Sequence, residues 1–549
     1  MLLRVAALAT IILVFADFTK AQPAIQNPLN LEQGDSDCHN ACSALVSTFG
    51  SSAFYDPSSS LSGFRDSFYT TQQRDVVPAC IVTPNSADEV AHVIRVIRQH
   101  RCIFAVKSGG HALFVGGSNA PGGITIDLRK LDEIDVAEDL QTAKVGTGNR
   151  WKRVYEKLEP LNRTAVGGRN GEVGVGGFIL GGGISFVSRR HGWALDNVRN
   201  FEVVLGNGTI INANQTSSPD LYWALRGGGN NFGIVTKFDL EIHPQGLVWA
   251  GQNFWLMDTS MISARRSLLN ITTSPATSSL SYLKNAVVSG IANLLCRFGY
   301  CVTSKQAFRA FRSVVLAEQS DVYAQMYMSF AYAWQVDQFL ICAALVYSKP
   351  EPWPPVFEDY KAMKSLYSSA KIQKLTTVYE EVSSLNEIGY RQMWAAIAFK
   401  MSEELLEKIF DLYVIEVESV KHVKDVIPAL LVQPINRDEI AIFKKNGGNC
   451  LGLEDVDGPL VLFSIAFRWS NTEDDNQMNE MGKTIIDCTV DMAKEMGLHH
   501  RYIYQNYANA SQDVFGGYGD ENRLKLKEIQ MKYDPEGVFS RLQPGYFKI

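Results

Sequence analysis

The sequence is poor in the features that mark several large protein classes. No Gly-x-Gly-x-x-Gly follows a strand-like run anywhere in its 549 residues, which disfavours a Rossmann dinucleotide fold. Nine cysteines and nine histidines include no cluster with metal-ligand spacing, and only His499 and His500 are adjacent, which argues against a metalloenzyme. The net charge is −6, with no basic run or stripe, so no nucleic-acid partner is expected. Beyond the first residues no apolar stretch approaches the roughly 18 needed to span a membrane.

Those first residues, MLLRVAALATIILVFADFTKA, carry one arginine, an apolar run from Val5 to Phe15 and small residues at Thr19 and Ala21. They predict a secretory signal peptide over 1–21 and a location outside the cell or in the secretory lumen. Asn-x-Ser/Thr acceptors at Asn162, Asn207, Asn214, Asn270 and Asn509 agree with that route and are candidate glycosylation sites. In an oxidising compartment nine cysteines imply disulfides and at least one free thiol. We pair Cys42, in the first helix of the mature chain, with Cys102; Cys38 with Cys80 and Cys296 with Cys301 are further candidates.

The chain is organised around Cys102–Leu128, CIFAVKSGGHALFVGGSNAPGGITIDL. It reads as strand, tight loop, strand. Gly109-Gly110 and Gly116-Gly117 leave main-chain N–H groups bare, so the loop can close on an anionic group such as a diphosphate. Lys107 could add charge at its rim, and His111 offers a ring nitrogen. Upstream, Ser86-Ala-Asp-Glu89 forms a capping box for a helix whose Val90, Val93, Ile94 and Ile97 share one face.

A second block, GGRNGEVGVGGFILGGGISF (Gly167–Phe186), holds nine glycines in twenty residues. Glycine costs roughly 0.5–1 kcal/mol relative to alanine in a helix or strand interior, a penalty justified by close backbone approach to a large ligand. A third block, ALRGGGNNFGIVTKFDLEIHP (Ala224–Pro244), leads into a strand through Phe232–Val235. A glycine turn before an edge strand explains this last piece equally well taken alone.

Lys107-x-Gly109-Gly110-His111 and the two later blocks resemble the flavin-contacting segments of the vanillyl-alcohol-oxidase-type FAD proteins, and within them the berberine-bridge-enzyme-like oxidoreductases. The C-terminal stretch resembles the same family at Tyr504-Gln-Asn506-Tyr507, Tyr518-Gly519, Asn522-Arg523-Leu524 and Lys532-Tyr533-Asp534-Pro535. The resemblance implies an α+β chain: a two-subdomain PCMH-type FAD-binding domain (22–246), an α+β substrate domain with an antiparallel sheet backed by helices (247–500), and a berberine-bridge segment (501–549) returning to the flavin. It also implies cofactor contacts at Lys107, Ser108, Gly109, Gly110, His111, Gly116, Gly117, Gly168, Asn170, Val173, Gly174, Gly177, Gly181, Asn197, Gly233, Ile234, Val235 and Asn506.

In that family the loop histidine is commonly bonded to the flavin, here His111. Some members add a cysteine bond at the position matched by Asn170, which has no nucleophile, so a single tether is expected. The family's activity implies hydride removal from a small organic molecule, with Tyr507 as base and Tyr504 as second candidate. O2 is the expected acceptor, and the enzyme is expected to be monomeric. Composition of the second domain, rich in Met, Phe and Tyr, tilts the substrate toward a lipophilic metabolite, with Tyr327, Trp394 and Trp469 as candidate pocket residues. An oxidative cyclase, a carbohydrate oxidase and a secreted binding protein without flavin are the alternatives.

Overall fold

A computed structural model describes residues 36–50, 62–258, 290–292, 294–317 and 321–549. The expected signal peptide and Asn270 lie outside the described residues. No helix among the described residues is long and apolar enough to cross a membrane.

The first layer is a three-stranded parallel sheet of β1 (Cys80–Val82), β2 (Phe104–Lys107) and β3 (Ile124–Asp127), in the order β1-β3-β2. Helix α1 (Ser36–Phe49) precedes it, and α2 (Ala87–His100) links β1 to β2. Ser86 caps α2 by accepting from the Glu89 amide at 3.2 Å, and the Glu89 carboxylate reaches back to the Asn85 amide at 2.8 Å. Val90, Val93, Ile94 and Ile97 are fully buried, as their spacing predicts.

The disulfides correct the expected Cys42–Cys102 bond. Cys38 pairs with Cys102 and Cys42 with Cys80. Cys38 and Cys42 are one helical turn apart and share a face of α1. The pairing therefore depends only on which way the helix crosses the sheet, and it runs from the β2 side toward β1. Cys296–Cys301 forms as expected.

A six-stranded antiparallel sheet follows: β4 (Ile134–Val136), β5 (Thr142–Gly146), β6 (Arg163–Ala165), β7 (Val198–Val204), β8 (Ile210–Asn214) and β9 (Ile234–Pro244), with β9 pairing β5, β6 and β7. The glycine-dense second block contributes the short helix α3 (Val175–Leu180).

The chain then enters a ten-stranded sheet built from β10 (Val248–Met257), β11 (Cys301–Val302), β12 (Ala324–Ala333), β13 (Gln338–Tyr347), β14 (Tyr367–Ser368), β15 (Lys371–Gln373), β16 (Arg391–Lys400), β17 (Ile427–Ile435), β18 (Leu460–Trp469) and β19 (His499–His500). All its neighbours are antiparallel except β10 and β11. Alternation along these strands separates two environments. Met326, Met328, Phe330, Leu430, Val432, Ile465 and Phe467 pack against α4 (Ser304–Val315), α5 (Glu403–Val420) and α6 (Asp475–Glu495) in one core. Their neighbours Tyr327, Ser329, Ala331, Ala429, Leu431 and Ala466 face the opposite way, toward the glycine blocks.

The C-terminal stretch returns to the first half of the chain. Helix α7 (Asp520–Tyr533) is followed by Phe539 against Phe104, and the Asn231 side chain donates to the Phe547 carbonyl at 3.1 Å. Peptide mapping of the unreduced protein is expected to recover Cys38–Cys102 and Cys42–Cys80 fragments; a Cys42–Cys102 fragment would reverse the crossing direction of α1.

Candidate active site

The loop after β2 and the second glycine block meet through bare backbone. A Cβ on Gly109 would strike the Gly174 amide, and one on Gly174 would strike the Gly109 amide. Neither glycine has a positive φ, so proximity alone demands glycine at this pair. At Gly110 the backbone itself does so, with φ at 75°. Ser108 Oγ ties the junction together, donating to the Thr147 carbonyl at 2.6 Å and accepting from the Gly176 amide at 3.2 Å. Arg150 donates to the Gly109 carbonyl at 3.2 Å from outside.

These turns border a cavity of about 480 Å³ between the glycine blocks and the ten-stranded sheet. Fourteen of the expected cofactor residues line it: Ser108, Gly109, Gly110, His111, Gly117, Gly168, Asn170, Val173, Gly174, Gly177, Gly233, Ile234, Val235 and Asn506. All three glycine blocks thus reach one space. A Cβ added at Gly177 would meet nothing within 4 Å, so this glycine keeps the cavity open rather than accommodating a protein neighbour.

Four expected residues lie elsewhere. Lys107 points away from the cavity because Val106 and Ser108, its neighbours, point into it. It is buried under the loop, 3.4 Å from Asp127, and burial takes its ammonium down to about 8. Gly116 approaches Gly545 of the C-terminal tail, and Gly181 makes room for Asn506. Asn197 is a buried strut that donates to the His191 and Trp193 carbonyls at 2.9 and 2.8 Å.

His111 faces the cavity, half-buried, with its ring stacked on Tyr69 at 3.8 Å and 11°. Burial, reinforced by Arg150, pushes its imidazolium down to about 3, so the ring is neutral at physiological pH. Its Nε2 is buried without a partner.

Tyr507 and Tyr504 sit in and beside a 3₁₀ turn, Gln505–Tyr507. Tyr507 Oη accepts from Arg169 Nη2 at 2.6 Å, and Trp394 leans over its ring at 4.8 Å. Tyr504 Oη instead accepts from the Gly183 and Ile184 amides at 3.2 and 3.0 Å and from Asn506 Nδ2 at 3.1 Å. Its phenol is pushed up by burial, and its hydrogen bonds brace the second glycine block. Tyr327 and Trp394 line the cavity, whereas Trp469 is core and donates to Asp475.

Sequence reasoning missed Arg169 and Tyr69. A signal existed for the first, an arginine inside a glycine block that packs against everything around it. None existed for Tyr69, which is 42 residues upstream of its ring partner His111. A third feature is visible only across strands: Ala331, Ala429 and Ala466 are register partners in a row that ends at Trp394. This row gives the cavity a flat floor beside the indole.

The cavity is thus walled by glycine turns and carries an imidazole and a phenol paired to a guanidinium. Comparison with known proteins identifies the class, an FAD-linked oxidoreductase. Residues 78–214 match the FAD binding domain family model. The chain is 37% identical over 533 residues to the FAD-dependent monooxygenase tpcD of Cochliobolus heterostrophus, covering 93% of this chain and 94% of that one. Two solved structures share the fold: BBE-like 1 of Physcomitrella patens (TM-score 0.65, 18% identity, 92% of this chain and 99% of that one) and the glucooligosaccharide oxidase of Acremonium strictum, described with a 6-S-cysteinyl, 8α-N1-histidyl FAD (TM-score 0.66, 18% identity, 91% and 97%). The chain belongs to the family of FAD-linked oxidoreductases that includes tpcD, and it shares the fold of BBE-like 1.

The two kinds of glycine predict opposite phenotypes. Gly177→Leu should fold with an unchanged far-ultraviolet spectrum yet purify with little visible flavin absorbance. Gly174→Ala should lower thermal stability, by about 1–3 kcal/mol as overpacking does. Yellow Gly177→Leu protein with full flavin content would show that the cofactor does not use this space.

Proposed function

We propose that this protein is a secreted oxidase of a small lipophilic metabolite, with FAD bonded covalently through His111 alone, Tyr507 as proton acceptor and O2 as electron acceptor. The observation that carries the reading is the 2.6 Å Arg169–Tyr507 hydrogen bond inside the cavity reached by all three glycine blocks. FAD, when bound, would supply the hydride acceptor, with O2 as the final electron acceptor and hydrogen peroxide as its product.

The fourteen lining residues named above are assigned to hold the cofactor, their bare amides suiting a diphosphate. Covalent attachment needs a neutral imidazole with an available nitrogen lone pair, which is the state burial imposes on His111. Asn170 offers no nucleophilic sulfur for a second bond; its Oδ1 accepts from Ser383 Oγ at 2.9 Å and the Glu172 amide at 2.9 Å.

Tyr507 receives the substrate proton. Arg169 holds the Tyr507 oxygen in place through a charge-assisted hydrogen bond, and Trp394 closes the space against water. Tyr504 and Asn506 hold the turn that presents Tyr507, with Asn506 Nδ2 donating to the Phe178 carbonyl at 2.9 Å.

The three disulfides support passage through an oxidising compartment. Asn162 and Asn207 are exposed and are assigned as glycan carriers. Asn214 Nδ2 already donates to Asn200 at 3.0 Å.

The name of the relative tpcD favours one second reading, oxygen insertion into the substrate. Turnover under labelled oxygen separates the two: the oxidase reading expects label in hydrogen peroxide and none in the organic product. Acid-precipitated wild-type protein should stay yellow, and His111→Ala should lose its colour. Tyr507→Phe should retain flavin but slow its reduction by substrate about 10²–10⁴-fold; an unchanged rate would remove Tyr507 from the proton transfer.

A further inference from the structure

Three charged side chains line the cavity among the described residues. Glu387 and Arg468 neutralise each other at 2.9 Å. Arg169 is left: only 8% exposed, it forms no ion pair with any described carboxylate. One of its terminal nitrogens serves Tyr507, its guanidinium lies 5.2 Å from the Tyr327 ring centroid, and its Nη1 is buried without a partner. The indole Nε1 of Trp394, whose ring lies 4.8 Å from that of Tyr507, is also buried without a partner.

Burying a guanidinium without a counter-ion is costly, as is leaving a buried donor unsatisfied. Both donors border one cavity, which also carries aromatic rings and a row of alanines beside the glycine turns. A carboxylate supplies the missing negative charge, since it is ionised at neutral pH, and its two oxygens suit two separate donors.

We propose that Arg169, assisted by the Trp394 indole N–H, is the anchor for a substrate carboxylate, and that the substrate is a flat, apolar organic acid. This deepens the preceding functional reading and rests on it only in placing the reaction in this cavity. An oligosaccharide lacks the charge that Arg169 requires and would leave both donors poorly matched.

Calorimetric titration of the purified flavoprotein with naphthoate, methyl naphthoate, naphthol and cellobiose at neutral pH reads binding without turnover. Naphthoate is expected to bind and the other three to bind at least about tenfold more weakly, the scale of one charge-assisted hydrogen bond. Arg169→Met should weaken naphthoate about 10–100-fold, leave the methyl ester unchanged and keep full flavin content. Arg169→Lys should restore part of the affinity, and Trp394→Phe, which keeps the ring and removes the N–H, should cost less than Arg169→Met. Equal binding of acid and ester, or loss of flavin in both Arg169 variants, would overturn the assignment. An active Tyr507→Phe enzyme would sink the proton-acceptor role while leaving the carboxylate anchor standing.

Discussion

Everything in the site depends on two peptide planes touching. The approach of Gly109 to Gly174 leaves no room for a side chain on either strand of backbone. Through it the loop after β2 and the second glycine block act as one wall. Ser108 binds both Thr147 and Gly176 at the junction, so the wall is closed by hydrogen bonds as well as by contact. The parallel sheet is too small to form a core alone, and its two disulfides and α2 hold the platform from which that loop projects.

His111 is held on that wall in a particular chemical state. Stacked on Tyr69 and half-buried at the cavity wall, it is neutral far below its ordinary range. Burial favours the form able to bond to carbon. Across the cavity, Arg169 is buried with no ion-pair partner among the described residues. The two halves of the chain thus contribute complementary chemistry: glycine backbone and imidazole on one side, an aromatic sheet face on the other, with Arg169 and Tyr507 at the meeting point.

Much of this was legible in the residues. Glycine spacing carries direct information about backbone approach, so all three blocks could be assigned to one ligand before any coordinates. The antiparallel sheet backed by helices that the resemblance implied is the ten-stranded sheet. Three things were hidden. The direction in which α1 crosses the sheet is a tertiary property, and i,i+4 spacing of Cys38 and Cys42 is compatible with either pairing. The side to which Lys107 points depends on strand phase at the loop's edge. The partnership of Arg169 with Tyr507 joins positions 338 residues apart, and no local pattern encodes it.

The ten-stranded sheet presents its helix-packed core and its cavity floor on alternate residues of the same strands. A change at Ala331, Ala429 or Ala466 alters the shape of the floor while Phe330, Leu430 and Ile465, one step along, go on packing against the helices. Selection can therefore remodel which molecules this enzyme accepts by point substitution, with the scaffold's cohesion left almost untouched. Inserting a single residue in one of these strands, by contrast, would exchange the roles of both faces at once.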